Sequence, residues 1–464
     1  MAGIVGIQQN DRKLAQRMLS QLSHRGSSGS KIIQRDGITI GANWPEAQKS
    51  PTPLSMRQTA VWDTDQPPLP EPEMLNQGNA PFSIASTHIP GELFLARDLL
   101  GVSPLYYGFT EHERFCFASE VKALLEVTTN IQEFPPGSWF STKTGFKKFN
   151  LSEPNIKDSA DIKQMAQGLL LRLEQAVCKR IIGSEMGAWL SGGLDSSAIV
   201  GLARPHVKNL HTFAAGLEGA QDLYFAKQVA DEFHTIHHEV IVTMEDILSV
   251  LPLVIYHLES FDALLVRSSV TNYLVAGEAA KYIDISFSGE GADELFAGYE
   301  YMQDLTNDKL DKEMEVLPHQ LHNKALQRVD RSASAHGLVV HVPFLDPDVV
   351  AFAQEIPVDM KMRRKPEAVE KYVLRLALDG ILPDSVLWRK KSKFWQGTGL
   401  GELLSDFAEK EISQKEFNNE RHLPNGWQLN TKEELLYYRI FKSHFGELEQ
   451  IDWVGRTKGA PKDS

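Results

Sequence analysis

Eight consecutive residues, Leu190-Ser191-Gly192-Gly193-Leu194-Asp195-Ser196-Ser197, bring together the groups that hold a phosphate. Gly192 and Gly193 lack a Cβ, so the backbone there can approach an anion closely and aim N–H groups at it. Ser191 and Ser196 add hydroxyl donors. Asp195 supplies a hard carboxylate of the kind that holds magnesium between phosphates. It is equally a residue type that caps a helix. The run is neither Gly-x-x-x-x-Gly-Lys nor Gly-x-Gly-x-x-Gly, so the common nucleotide fingerprints do not explain it.

Such a turn works only between a strand and a helix, and the flanking pattern supplies both. Gly187–Leu190 is a short apolar run, and Ser196–Leu202 has helical character. Strands are then expected at Leu210–Gly216, Ile236–Val242 and Ile283–Phe287, with helices at Asp222–Phe233 and Glu245–Leu258. Alternation of this kind predicts a mostly parallel sheet covered by helices. Upstream, Asp161–Arg180 places Ile162, Met165, Leu169, Leu170, Leu173 and Val177 at helical spacing, opening this second unit. Beyond about residue 300 the pattern is mostly helical.

The first 150 residues read differently. Gly3–Gln8, Ile32–Ile40, Phe82–Ser86, Glu92–Ala96, Leu105–Phe109 and Phe115–Ser119 are short, apolar and rich in β-formers, as in a sandwich of paired strands. Residues 43–81 collect eight prolines, which remove backbone donors, so loop with little sheet is expected there. Two domains follow, 1–150 and 158–464. The class is α+β in the first and α/β in the second.

Composition narrows the function further. With 48 basic and 61 acidic residues the chain carries a net charge of −13, a poor fit to a nucleic-acid backbone. A small anion remains compatible, because a helix N-terminus and a few placed cations hold one locally. Cys116 and Cys178 are the only cysteines, which excludes a disulfide framework and a Cys-rich zinc site. His234, His237 and His238 lack the spacing that would complete a metal site, and a partly exposed strand accounts for them. No apolar stretch reaches membrane-spanning length and no signal pattern opens the chain, so no membrane and a cytoplasmic location are expected.

The Ser-Gly-Gly-Leu-Asp-Ser core resembles the pyrophosphate loop of ATP pyrophosphatases. Ser288-Gly289-Glu290-Gly291-Ala292-Asp293-Glu294-Leu295-Phe296-Ala297-Gly298-Tyr299 resembles the second signature of asparagine synthetases. Further blocks agree in order: Gly216–Gly219 with Asp222, Val254–Asp262 with Arg267, Val342–Asp346, Lys371–Arg375 and Leu387–Lys391. Gly3–Ile7, His24–Gly26 and Leu95–Tyr107 are similar to the class II glutamine amidotransferase domain that precedes such synthetases. The resemblance implies an Ntn-type antiparallel sandwich followed by an ATP-pyrophosphatase domain. It also implies adenylation of an acid, L-aspartate in the family, by ATP with Mg2+, then displacement of AMP by ammonia.

Carried onto matching positions, the resemblance has Ser191, Gly192, Gly193, Asp195 and Ser196 cradle the pyrophosphate portion. Leu190, Ala215, Ser288 and Gly289 line the adenosine end. Asp195 and Asp293 are the implied magnesium carboxylates, Lys391 the phosphate-facing cation, and Glu290 the group that serves formation of the intermediate. Asp293 and Glu294 would also suit a helix start through the dipole, and Asp222 could serve only as a cap. Lys393 reads as a solvated cation.

Two departures from the family stand out. The nucleophilic cysteine of a class II amidotransferase follows Met1, and here that position is Ala2. The Asn-Gly-Glu block that holds glutamine is missing, while Asp98 matches a glutamine-binding carboxylate. Glutamine hydrolysis is therefore not expected, and free ammonia or a separate glutaminase subunit is the implied nitrogen source. Secondly, Val339-Val340-His341 stands where the family carries Glu-Ala-Arg. An arginine clasps a carboxylate and a histidine does not, so His341 reads either as a change in acceptor or as a structural replacement. Relatives that form intramolecular amides, such as β-lactam synthetases, also lose the cysteine, but often place tyrosine where Glu290 stands. A non-catalytic relative would have no need of Asp195, Asp293 and Lys391 together. A small-molecule acid and ammonia are the implied partners, and a homodimer is compatible with the family.

Overall fold

The computed structural model describes residues 2–45, 59–64, 67–77, 80–149, 161–364, 367–389 and 403–456. Before residue 150 it contains β1 (Gly3–Ile7), β2 (Gly29–Arg35), β3 (Ile38–Trp44), β4 (Ala60–Trp62), β5 (Ser83–Ser86) and β6 (Phe94–Arg97). They are followed by β7 (Tyr106–Phe109), β8 (Phe115–Ala118), β9 (Ile131–Glu133), β10 (Ser138–Ser141) and β11 (Gly145–Lys148). These strands make two antiparallel sheets, ordered β2-β3-β1-β8-β7-β9 and β11-β10-β6-β5-β4. Aromatic side chains fill the space between them: Phe115 of β8 stacks on Phe140 of β10 at 4.2 Å between centroids. Both faces of β3 are buried over six residues, one toward this filling and the other toward the helix Arg12–Gln21.

Ile32–Ile40 is not one strand but the two arms of a hairpin. Asp36 and Gly37 both take positive φ, 50° and 83°, and an Asp-Gly pair in that conformation reverses a strand in two residues. The apolar run masked this turn. β4 and a short 3-10 segment, Pro72–Gln77, lie inside the proline-rich stretch, much of which falls outside the described residues. The boundary expected near residues 150–158 also falls outside them.

The second half is built on β12 (Glu185–Trp189), β13 (Asn209–Gly216), β14 (Ile236–Ile241), β15 (Ile285–Phe287) and β16 (Val339–His341). All neighbouring pairs are parallel, in the order β14-β13-β12-β15-β16. The chain starts in the middle at β12, winds outward through β13 and β14, then returns to the other side of β12 for β15. That reversal places a crevice between the carboxyl ends of β12 and β15, where open parallel sheets bind ligands. β16 was not anticipated, because three residues are too few to show a period. No single helix among the described residues is long and apolar enough to cross a membrane.

The two halves share one interior. A continuous apolar cluster runs from Val5, Leu14 and Tyr106 to Leu173, Val270, Val329 and Trp453. At the seam lies a buried cluster of six charges: Arg25, Glu120 and Lys122 from the first half, Glu259, Asp330 and Arg331 from the second. Arg25 pairs with Glu120 and Asp330, and Lys122 pairs with Glu120. Arg331 reaches Glu120 at 2.8 Å and Glu259 at 3.1 Å. The Glu259 carboxylate also accepts the backbone N–H groups of Val121 and Lys122, at 3.0 and 2.7 Å. Burial favours the neutral form of Glu120, but Arg331, His24, Lys122 and Arg25 outweigh it and hold the carboxyl well below its usual range.

Three cations balance three anions, so removing one member leaves an uncompensated buried charge. Glu120→Gln should destabilise the fold by about 3–5 kcal/mol in chemical denaturation. Lys227→Gln, which breaks the exposed pair with Asp231, should barely move the denaturation midpoint. Equal shifts for the two variants would mean that the seam does not hold the halves together.

Candidate active site

β12 ends at Trp189, and the helix Leu194–Ala203 begins five residues later with Gly193 as its N-cap. Every residue of this helix except Asp195 is buried, which anchors it under the sheet and leaves its polar N-terminus at the crevice. Two hydroxyls shape the loop. Ser191 N donates to Ser196 Oγ at 3.2 Å, Ser196 Oγ donates to the Gly193 carbonyl at 3.2 Å, and Gly193 N meets Ser191 Oγ at 3.4 Å.

β15 ends at Phe287, and its continuation Ser288–Gly291 runs alongside the first loop. A Cβ on Gly289 would lie 2.9 Å from Asp195 C and Ser196 N. Only glycine lets the two loops touch there. Ser288 N donates to the His341 carbonyl of β16 at 2.9 Å, which fixes the second loop to the sheet.

An open cleft of about 220 Å³ lies above both loops. Leu190, Ser191, Gly193, Asp195, Ser196, Ser288, Gly289, Glu290 and Asp293 all line it. Gly192 and Ala215 do not: Ala215 is buried in β13, and Gly192 offers its carbonyl to Arg389 Nη1 at 3.0 Å. Lys391, Lys390 and Lys393 lie outside the described residues. Its lining is mixed: Trp189, Phe213 and Val275 are apolar, and Asp195, Asp293, Lys371, Arg375 and Arg389 are charged.

Asp195 and Asp293 converge on a single cation. Lys371 Nζ lies 2.7 and 2.6 Å from the two oxygens of Asp195 and 2.5 Å from Asp293 Oδ1. Burial alone would lower the pKa of this ammonium; Asp195 and then Asp293 outweigh it and hold the group charged. Among the described residues no three His, Cys, Asp or Glu side chains form a metal-ligating group. The two carboxylates still fit magnesium bound through a nucleotide, since that ion takes one or two carboxylates with phosphate and water oxygens.

Sequence reasoning noticed the Lys371–Arg375 block without giving Lys371 a role; a lone lysine 176 residues from its partner carries no local signal. Arg328 was also missed. It pairs with Glu290 across the cleft and comes from the helix Ala325–Ser334. Glu294, next to Asp293, is buried beneath the site and pushed up to about 7 by desolvation and by the Asp293 charge, while Tyr299 donates to it. Asp222 does not cap its helix with its side chain. It faces Arg389 at 3.6 Å, and burial pushes it up to about 6. Arg389 in turn lies 3.6 Å over the Phe225 ring.

His341 is no substrate clasp in this geometry. It does not line the cleft, its Nε2 is buried without a hydrogen-bond partner, and burial pushes it down to about 3, so it stays neutral. In the first half, Ala2 is 4% exposed and its N–H donates to the Asp63 carbonyl. Asp98 spends its carboxylate on the backbone N–H groups of Leu100, Val102 and Ser103, at 3.1, 3.0 and 2.9 Å. Cys116 is buried and pushed up to about 12, and Cys178 is exposed.

Comparison with known proteins agrees with this geometry. The asparagine synthase family model matches residues 168–309 and 303–460, and a glutamine amidotransferase domain model matches residues 73–175. A probable asparagine synthetase (glutamine-hydrolyzing) of Dictyostelium discoideum is 34% identical over 408 residues, 79% of this chain and 73% of its own length. Asparagine synthetase (glutamine-hydrolyzing) 1 of Arabidopsis thaliana is 34% identical over 372 residues, 76% of this chain and 64% of its own. Asparagine synthetase B (glutamine-hydrolyzing) of Escherichia coli strain K12 is 32% identical over 403 residues, covering 81% and 71%. A family model that spans both loops of the cleft, together with relatives of this identity and coverage, makes the chain a member of the asparagine synthase family.

Proposed function

We propose that this chain is an ATP-dependent carbon–nitrogen ligase that adenylates a small acidic substrate, L-aspartate, and transfers ammonia to it. The products would be L-asparagine, AMP and pyrophosphate. The observation that carries this reading is the convergence of Asp195 and Asp293 from two strand ends on one cation position, beside a glycine-to-backbone contact open to phosphate. Residues 158–464 would contain this chemistry, and residues 1–150 would be a remnant of a glutaminase.

In this reading the Ser191–Ser196 loop and the start of its helix hold the β- and γ-phosphates. Magnesium, held by Asp195 and Asp293, would neutralise charge on the departing pyrophosphate. The substrate carboxylate attacks the α-phosphorus, the bond to the β-phosphate oxygen breaks, and an acyl-adenylate remains. Ammonia then attacks the acyl carbon, AMP leaves with the bridging oxygen, and the surplus proton passes to Glu290. Arg328 fixes that carboxylate at the cleft wall, so the acceptor is in place before ammonia arrives. Lys391 is assigned to phosphate on the strength of its match to the family alone.

Three features support the loss of glutamine hydrolysis. Ala2 has no nucleophile and is buried, Cys116 is un-ionised in the core, and Asp98 is saturated by its own loop. Ammonia would come from solution or from a separate glutaminase subunit.

Asp195→Asn and Asp293→Asn should each lower acid-dependent AMP release by at least about a hundredfold at saturating magnesium, with an unchanged far-UV spectrum. Turnover like the wild type in either variant would remove the metal assignment. Lys391→Ala should slow adenylation far more than Lys393→Ala, and equal losses would show that the register of that segment is misassigned. With ammonium at fixed total concentration the rate should rise with pH, because only neutral ammonia carries a lone pair. The isolated chain should release no glutamate from glutamine, and Ala2→Cys should not restore that activity, since a nucleophile alone lacks positioning.

A further inference from the structure

We infer that Lys371 is a resident counter-cation that closes the metal position of the free protein, so that divalent metal is admitted only together with a nucleoside triphosphate. The inference rests on the assignment of Asp195 and Asp293 as metal carboxylates above.

The geometry is specific. Three carboxylate oxygens lie 2.5–2.7 Å from one ammonium nitrogen, which therefore sits at the point where an ion bound by both carboxylates would have to sit. Magnesium needs its oxygen ligands at about 2.0–2.1 Å and sheds water reluctantly. It cannot share that position with Nζ. Lys371 itself is buried at 3% side-chain exposure, while the two carboxylates are 23% and 22% exposed. Thus the lysine reaches the pair from the protein side, leaving the other side of both carboxylates toward the cleft.

The placement is built rather than incidental. Lys371 adopts φ 55°, a left-handed conformation that a side chain other than glycine's rarely takes. Its N–H donates to the Phe296 carbonyl at 3.2 Å, just beyond the second loop. Gly298 keeps the path of the side chain open: a Cβ there would come within 2.0 Å of Asp293 Oδ1 and 2.2 Å of Lys371 Cε. The strained backbone, the missing Cβ and the two ion pairs all serve one contact.

Charge then dictates the order of events. In the free protein two carboxylates and one ammonium leave a net charge of −1 at this point, too little to draw a divalent ion past a buried lysine. A triphosphate brings several negative charges to the cleft side. Nζ gains phosphate oxygens as partners, and the carboxylates turn to the metal that the nucleotide carries. Nζ thereby gives up the position between the carboxylates to the metal and becomes a phosphate ligand in the same cleft.

The test measures metal binding rather than turnover. Mn2+ replaces magnesium, and free Mn2+ is read by its paramagnetic resonance signal against the wild type, Lys371→Met and Lys371→Arg. The wild type should bind no Mn2+ in the absence of nucleotide and one equivalent with a non-hydrolysable triphosphate analogue. Lys371→Met should bind one equivalent of Mn2+ alone, at least about tenfold tighter than the wild type, because two facing carboxylates have lost their cation. Lys371→Arg should behave as the wild type, and Asp195→Asn added to Lys371→Met should abolish binding. Tight binding of Mn2+ alone by the wild type overturns the inference and leaves the assignment of the carboxylates standing; this arm needs no variant to fold. Failure of the wild type to bind Mn2+ even with the analogue overturns the assignment and the inference together.

Discussion

Two ionised carboxylates brought face to face in a half-closed cleft repel each other, and the rest of this molecule is arranged around meeting that cost. Asp195 and Asp293 follow different strands, each in the first turn of a helix. Lys371 supplies the compensating charge from a third segment of chain, held there by a backbone conformation that few residues tolerate. The parallel sheet sets the separation of β12 and β15, the neighbouring loops set the approach, and the ammonium makes it stable. Without the ammonium the two like charges would repel each other at close range.

A similar balance of charge recurs at the seam between the two halves, with a different outcome. There six charges are fully enclosed, and the surrounding apolar cluster is continuous across them. Enclosed pairs of this kind contribute little to net stability but tolerate almost no change in register. The seam is closed to solvent, whereas the cleft leaves its two carboxylates partly open. Exposure separates the two: below 6% for every member of the seam, above a fifth for the two carboxylates.

Much of this was legible in the sequence. The alternation of apolar runs and helical stretches between residues 185 and 290 predicts the parallel sheet, and two Gly-rich runs after apolar strands locate both loops. What stayed hidden depends on long-range contact. Lys371 and Arg328 are cations with no local signal in the sequence until folding sets them against Asp195 and Glu290. β16 is three residues long and gains its identity only by pairing with β15. The hairpin at Asp36–Gly37 was a different kind of miss, since its signal is local. The apolar residues on both sides of the Asp-Gly pair give one continuous strand-like pattern across the turn. His341 could be read two ways from residue type alone; the structure half-buries it outside the lining of the cleft, with its Nε2 enclosed.

The near-terminal Trp453 has a bearing on how such a chain is made. Its ring packs edge-on against Tyr106 of β7 at 6.2 Å, and both side chains are 2% exposed. A growing chain delivers β7 from the ribosome hundreds of residues before Trp453, so that face of the sandwich spends most of synthesis without its cover. The early strands can pair among themselves, but their outer apolar surface stays open to solvent until the helix Lys432–Phe445 and the segment after it emerge. Translation that stalls before Trp453 is made would leave a product with a sticky flank, and quality control would have a clear surface to recognise.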